Sequence, residues 1–195
     1  DLPLRDVRVL CPYVGGGFGA KATIRKDTVA AVELARLSGA PVRVVLDRAE
    51  ELTVGGNRPS VDMDLSLAAD ADGGLLGITL DAWNSSGIAV GHAVGAFMRV
   101  MYPGPPKQLR DWDVVTHAPP GAPFRGPGGP AAYFGLEGAV DELAARRGED
   151  PVTLRRRWDL NPSRQALYGW IESLPAWKER GEAGRDRGRF RRGLG

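Results

Sequence analysis

Among the 195 residues there are only one cysteine and two histidines. A single thiol closes no internal disulfide. Cys11, His92 and His117 lie too far apart in sequence for zinc spacing or a Cys/His nucleophile pair, and there is no cysteine cluster for an iron–sulfur centre. Any metal must therefore arrive inside a prosthetic group. Charge of one sign is also scarce: the formal net charge is +2, which gives no electrostatic argument for a nucleic-acid partner. No apolar run is long enough to span a membrane. The opening Asp1-Leu2-Pro3-Leu4-Arg5-Asp6 lacks both an initiating methionine and the basic and apolar regions of a signal peptide, so the start is expected to be internal.

Glycine and proline, by contrast, are plentiful, at 27 and 15 residues, and they are grouped. The densest group is Tyr13-Val14-Gly15-Gly16-Gly17-Phe18-Gly19-Ala20-Lys21. Glycines cost order in ordinary structure and are useful where backbone must adopt positive φ or approach something closely. Successive free N–H groups in such a turn form a nest for a phosphate or another anionic group, so the stretch reads as a cofactor loop. Gly15, Gly17 and Ala20 also satisfy the dinucleotide fingerprint. Residues 7–10 before them alternate like a strand, a helix over residues 26–38 follows, and the apolar stretch 41–47 ends in Asp47. A Rossmann-like nucleotide-binding module is thus the alternative reading. Against it, Cys11-Pro12-Tyr13 separates the strand-like run from the glycines, and Pro12 breaks the required strand-to-turn geometry.

Further along, residues 61–68 and 76–83 alternate polar and apolar around the turn Asp70-Ala71-Asp72-Gly73-Gly74, which predicts a long antiparallel hairpin with one buried face. Residues 87–106 are less regular and hold one short helix. A strand over 111–117 ends at Ala118-Pro119-Pro120-Gly121. A second unusual loop then appears, Ala122-Pro123-Phe124-Arg125-Gly126-Pro127-Gly128-Gly129-Pro130, again glycines around an aromatic and one cation. It leads into a helix with Phe134, Leu136, Ala139, Val140 and Leu143 at helical spacing, closed by Gly148. Asp150-Pro151 supplies an N-cap and an N1 proline for a second helix, and Asn161-Pro162 opens a third. The carboxy half is helical, and residues 178–195 form a charged linker.

Two glycine loops far apart in the chain, each leading to a helix, suggest a site clamped from two sides. Here the residues resemble the molybdopterin-binding large subunit of the xanthine dehydrogenase and aldehyde oxidase family, the molybdenum hydroxylases. The family's GGGFGxK loop stands here as Gly15 to Lys21, and its FRGxGGP loop as Phe124 to Pro130. The intervening Gly39-Ala40-Pro41-Val42-Arg43-Val44-Val45-Leu46-Asp47-Arg48 and Gly55-Gly56-Asn57-Arg58-Pro59 are similar too. The resemblance implies an α+β fold, a mixed sheet with the long hairpin, forming part of a molybdopterin-binding domain over residues 1–177.

By the same resemblance, Gly16, Gly17, Phe18, Gly19, Arg125 and Gly126 are cofactor-binding. The implied chemistry is oxidative hydroxylation of an aldehyde or N-heterocycle, a glutamate taking the substrate proton. Electrons then leave through iron–sulfur clusters and FAD on partner chains, an iron–sulfur subunit and a flavin subunit. The family's glutamate is expected beyond Gly195, so no residue here is assigned as base and the chain alone is expected to be inactive. Ala22 stands where many purine-oxidising members carry glutamate, and Pro127 where they carry an aromatic. The expected location is the cytoplasm, with the periplasm as the alternative.

Overall fold

The computed structural model describes residues 2–182, 184 and 187–194. Parts of the charged stretch at residues 183, 185, 186 and 195 lie outside the described residues. The architecture is α+β, as the sequence suggests. Strands β1 (Val61–Ala69) and β2 (Leu75–Gly87) form the antiparallel hairpin, with Leu65 opposite Leu80 and Met63 opposite Ala82. A short helix α3 (Val94–Val100) crosses over to β3 (Lys107–Val115), which pairs with β2 in parallel, so β2 is the central strand of a mixed sheet.

Alternation decides which face is covered. Ile78, Leu80 and Ala82 of β2 point one way and are buried, while Val61, Met63, Leu65 and Leu67 of β1 pack beside them. Helix α4 (Gly129–Arg147) lays Ala132, Leu136, Val140 and Ala144 on this face, one residue every fourth position, which is a single stripe along a helix. Val94 and Met98 of α3 and Leu154 and Trp158 of α5 (Pro151–Trp158) complete the core. Fully burying each large apolar side chain contributes about 1.5–3 kcal/mol. The opposite face leaves Trp83 and Trp112 side by side in register and partly exposed.

Polar ties fix the helices to the sheet. Asp111 of β3 accepts from the N–H groups of Val94 and Gly95, capping α3; burial pushes its carboxyl upward against those two donors. Trp158 Nε1 donates to the Gly73 carbonyl at 2.7 Å, joining α5 to the hairpin turn. Asp150 and Asn161 cap α5 and α6 (Pro162–Ser173) through their side chains, as the sequence indicates. Asp159, almost fully buried, is held below the usual carboxylate range by Arg164, the Asn161 N–H and the Tyr168 hydroxyl. A last short helix, α7 (Pro175–Lys178), follows, and Arg180 beyond it stacks on Trp177 and pairs with Asp150.

The amino-terminal part departs from expectation. Helix α1 (Lys26–Ser38) forms where predicted and ends on Gly39 in the left-handed conformation, yet it buries none of its residues. Residues 7–10 and 41–47 belong to no strand or helix, and Val9, Leu10 and Val45 are largely exposed. An extended segment becomes a strand only by pairing with a neighbour, and the described sheet runs no further than β1, β2 and β3. This removes the parallel unit that a Rossmann-like module requires. Asp47, the acid that completed the fingerprint, has a different task. It is the N-cap of helix α2 (Arg48–Val54), in a reciprocal capping box with Glu50.

Candidate functional site

The first glycine loop turns by positive φ at Gly16 (139°), Phe18 (51°) and Gly19 (94°). The N–H groups of Ala20 and Ala22 return to the carbonyls of Gly17 and Gly19 and hold the turn. Among the described residues, nothing accepts from the N–H groups of Gly16, Gly17, Phe18 or Gly19. Four consecutive donors without an internal partner are the backbone of a nest. Lys21 at the exit donates to Glu51 at 2.6 Å, and Glu51 also receives Arg25, so α2 is tied under the loop by ion pairs.

The second loop comes directly onto the first. Arg125 N–H donates to the Phe18 carbonyl at 2.7 Å, and the rings of Phe18 and Phe124 stack with centroids 6.2 Å apart. A Cβ on Gly19 would meet the Pro123 carbonyl oxygen at 3.1 Å, so the backbones approach as closely as glycine permits. Gly126 and Gly128 have positive φ, and α4 starts at the next residue, its N-cap being Gly128 with no side-chain cap.

A third segment lies between the two loops and had no site role in the sequence reading. Asn57 pairs with Gly121 in an isolated parallel bridge, its N–H donating to Pro120 and its carbonyl accepting from Ala122. A Cβ on Gly56 would come within 2.3 Å of Ala122 Cβ and 3.3 Å of the Ala20 carbonyl oxygen. Arg58 follows, with Nη2 donating to the Arg125 carbonyl at 2.6 Å, Nη1 to the Gly126 carbonyl at 3.2 Å, and its guanidinium 5.0 Å from the centre of the Phe124 ring. The available signal was Gly55-Gly56 followed by an arginine and a proline, a small-residue pair beside a cation, as in both recognised loops. Behind the second loop, buried His92 bonds through Nε2 to the Ala122 carbonyl at 2.8 Å.

Together these segments line a cleft of about 410 Å3, open to solvent. Gly16, Gly17 and Phe18 contribute to its wall, with Lys21, Arg48 and Arg58 as cations. Gly19, Arg125 and Gly126 are not on that wall; they form the seam that joins the loops. Free backbone donors, glycines at close approach and three cations around one carboxylate fit an anionic, hydrogen-bonding cofactor such as molybdopterin.

Glu137 and His117 lie elsewhere. Glu137 accepts from Tyr102 at 2.9 and 3.0 Å and from Arg155 at 2.6 Å, tying α4 to α5 as a structural acid. Burial, then the Glu137 carboxylate, pushes the Tyr102 hydroxyl well above its usual pKa. His117 is exposed and bonds to none of the described residues. Among the described residues, no group of His, Cys, Asp and Glu is arranged to hold a metal ion, and no helix is long and apolar enough to cross a membrane.

Comparison with known proteins gives a consistent picture. The model of the family described as the molybdopterin cofactor-binding domain matches residues 1–159. The xanthine dehydrogenase molybdenum-binding subunit of Escherichia coli O157:H7 is 32% identical across 100% of this chain and 29% of its own length. The aldehyde oxidoreductase molybdenum-binding subunit PaoC of Escherichia coli (strain K12) is 33% identical across 79% of this chain and 21% of its own. Among solved structures, quinoline 2-oxidoreductase from Pseudomonas putida 86 superposes with a TM-score of 0.71 at 28% identity, over 78% of this chain and 20% of that one. The chain thus spans less than a third of the length of these relatives.

Proposed function

The chain belongs to the molybdopterin cofactor-binding domain family, and from that premise we propose that it forms part of a molybdenum hydroxylase subunit that oxidises aldehydes or N-heterocycles. The observation that carries this reading is the seam between Phe18 and Arg125, which sets a row of unengaged N–H groups beside a cationic cleft. In this role Gly16, Gly17, Phe18 and Gly19 offer backbone donors to the cofactor. Arg125 and Gly126 close the second side, and Lys21 and Arg48 balance negative charge. When bound, the molybdenum cofactor supplies the two-electron oxidation that none of the twenty side chains provides. The chain's own contribution is to bind, orient and shield. The stacked Phe18 and Phe124 rings give one side of the cleft an apolar surface, and the Glu51 carboxylate, shared between Lys21 and Arg25, ties α2 to the exit of the loop.

The cleft is apolar on the side of the Phe18 and Phe124 rings, which suits a flat aldehyde or heterocycle beside the cofactor. Ala22 and Pro127 offer neither a carboxylate nor an aromatic face at the two positions where resemblance to purine oxidisers would need them. The reading therefore favours non-purine substrates. In this reading electrons leave to an iron–sulfur subunit and a flavin subunit, since the one cysteine of these 195 residues cannot hold a cluster by itself. The test is dye-linked oxidation by a subunit carrying this chain, purified with its partners, against a panel of aldehydes, N-heterocycles and purines. Turnover that scales with molybdenum content and prefers the first two classes is expected; molybdenum at full occupancy without oxidation of any of them contradicts the proposal.

A further inference from the structure

The two loops do not hold each other by the Phe18–Arg125 bond alone. Arg58 reaches the carbonyls of two successive residues of the second loop, Arg125 and Gly126, and places its guanidinium over the ring of the residue just before them, Phe124. A peptide unit is planar and trans, with no cis bond in the described chain, so a carbonyl drawn toward Arg58 turns the N–H of the same unit to the opposite side. For the Arg125 carbonyl that N–H is Gly126's, and nothing among the described residues accepts from it. The next unit ends at Pro127 and has no N–H. Gly126 is therefore the donor whose direction Arg58 sets. Arg58 is itself fixed from behind, because Asn57 is bridged to Gly121 and Pro59 is buried.

We infer that Arg58 is a positioning residue for the cofactor site: it clamps the Arg125–Gly126 turn onto the Phe18 loop and fixes the orientation of the Gly126 peptide in the seam that closes the site. The inference rests on the cofactor reading above. Lysine cannot replace it, since a single ammonium lacks the planar fork that serves two carbonyls and an aromatic face together. Neutralising two carbonyl oxygens beside the cleft also removes negative poles that would repel an anionic ligand.

The test compares Arg58→Ala and Arg58→Lys with the unaltered protein by two measurements. The first is amide hydrogen exchange in the 195-residue chain. Both variants are expected to exchange the Arg125 N–H at least about tenfold faster, as a local opening, with Leu136 and Val140 of α4 unchanged. The second is pterin bound per polypeptide in a subunit carrying the chain, with Val140→Ala as a control of lowered stability remote from the loops. Pterin content is expected to fall in both Arg58 variants well beyond the control at equal Tm, and added guanidinium ion is expected to restore part of it in Arg58→Ala only. Unchanged Arg125 exchange, or pterin loss no greater than the stability-matched control, overturns the inference. Absence of pterin from the unaltered subunit sinks the cofactor reading instead, and the exchange measurement then still decides whether Arg58 sets the loop.

Discussion

Arg125 N–H donates to the Phe18 carbonyl across 2.7 Å, and this bond lies at the centre of the seam that joins two glycine loops from distant parts of the chain. A side chain on Gly19 would strain it. Gly19 has φ 94°, and a Cβ there would sit 3.1 Å from the Pro123 carbonyl oxygen. Gly19→Ala is expected to cost about 1–3 kcal/mol in backbone strain. The loops are expected to part, with loss of Arg125 N–H protection in hydrogen exchange. Retained protection at unchanged stability would contradict the close approach.

Glu51 is the one carboxylate in the cleft wall, and it is shared between Lys21 and Arg25. The pairs are partly solvated, so Glu51→Gln is expected to change stability by less than about 1 kcal/mol. Its main effect is on charge: inorganic phosphate, titrated against the amide resonances of Gly17 and Phe18, is expected to bind several-fold more tightly. Weaker phosphate binding in the variant would show that Glu51 orders the loop rather than merely balancing its cations.

The core makes an independent prediction. Leu136 lies fully buried on α4, the helix that packs against β1 and α3. Leu136→Ala is expected to destabilise the domain by about 2–5 kcal/mol in denaturant unfolding. A loss below about 1 kcal/mol would mean that α4 does not cover the sheet as described.

The pH dependence follows from Asp159. Arg164, the Asn161 N–H and the Tyr168 hydroxyl favour its charged form, so its folded pKa lies below its unfolded one. A lowered carboxylate contributes stability that is present above the unfolded value of about 3.9 and is lost as pH falls through the folded one. Glu149, held down mainly by Arg157 and then by Arg147, acts in the same direction. Asp111, raised by burial, acts in the opposite one and begins to lose its cap role at higher pH. Tm is therefore expected to decline steadily in acid below the usual carboxylate range, with a shallower decline in Asp159→Asn. An identical acid profile in that variant would remove Asp159 from the account.

What could be read in the sequence was local. The hairpin follows from period-two alternation, α5 and α6 from Asp150-Pro151 and Asn161-Pro162, and the two loops from glycine around Phe18 and Arg125. What could not be read depends on neighbours. Residues 7–10 and 41–47 have a strand's pattern, but pattern does not supply a pairing partner, and they join no described strand. Helix α2 was legible in Asp47-Arg48-Ala49-Glu50, a capping-box spacing obscured because the same Asp47 also ended a nucleotide-binding fingerprint. Arg58 was harder: its two acceptors are carbonyls in another loop, and no local spacing links it to them.

The central claim is that the Phe18 loop and the Arg125 loop together hold a molybdenum cofactor. It is tested most directly by pterin and molybdenum per polypeptide in a subunit carrying this chain, with and without Gly19→Val. A branched side chain at positive φ, directed at the Pro123 carbonyl, cannot leave the seam closed. The account predicts near-stoichiometric pterin and molybdenum in the unaltered subunit and less than about a tenth of that in the variant, with the α4 core still folded. Full pterin and molybdenum in Gly19→Val would contradict it.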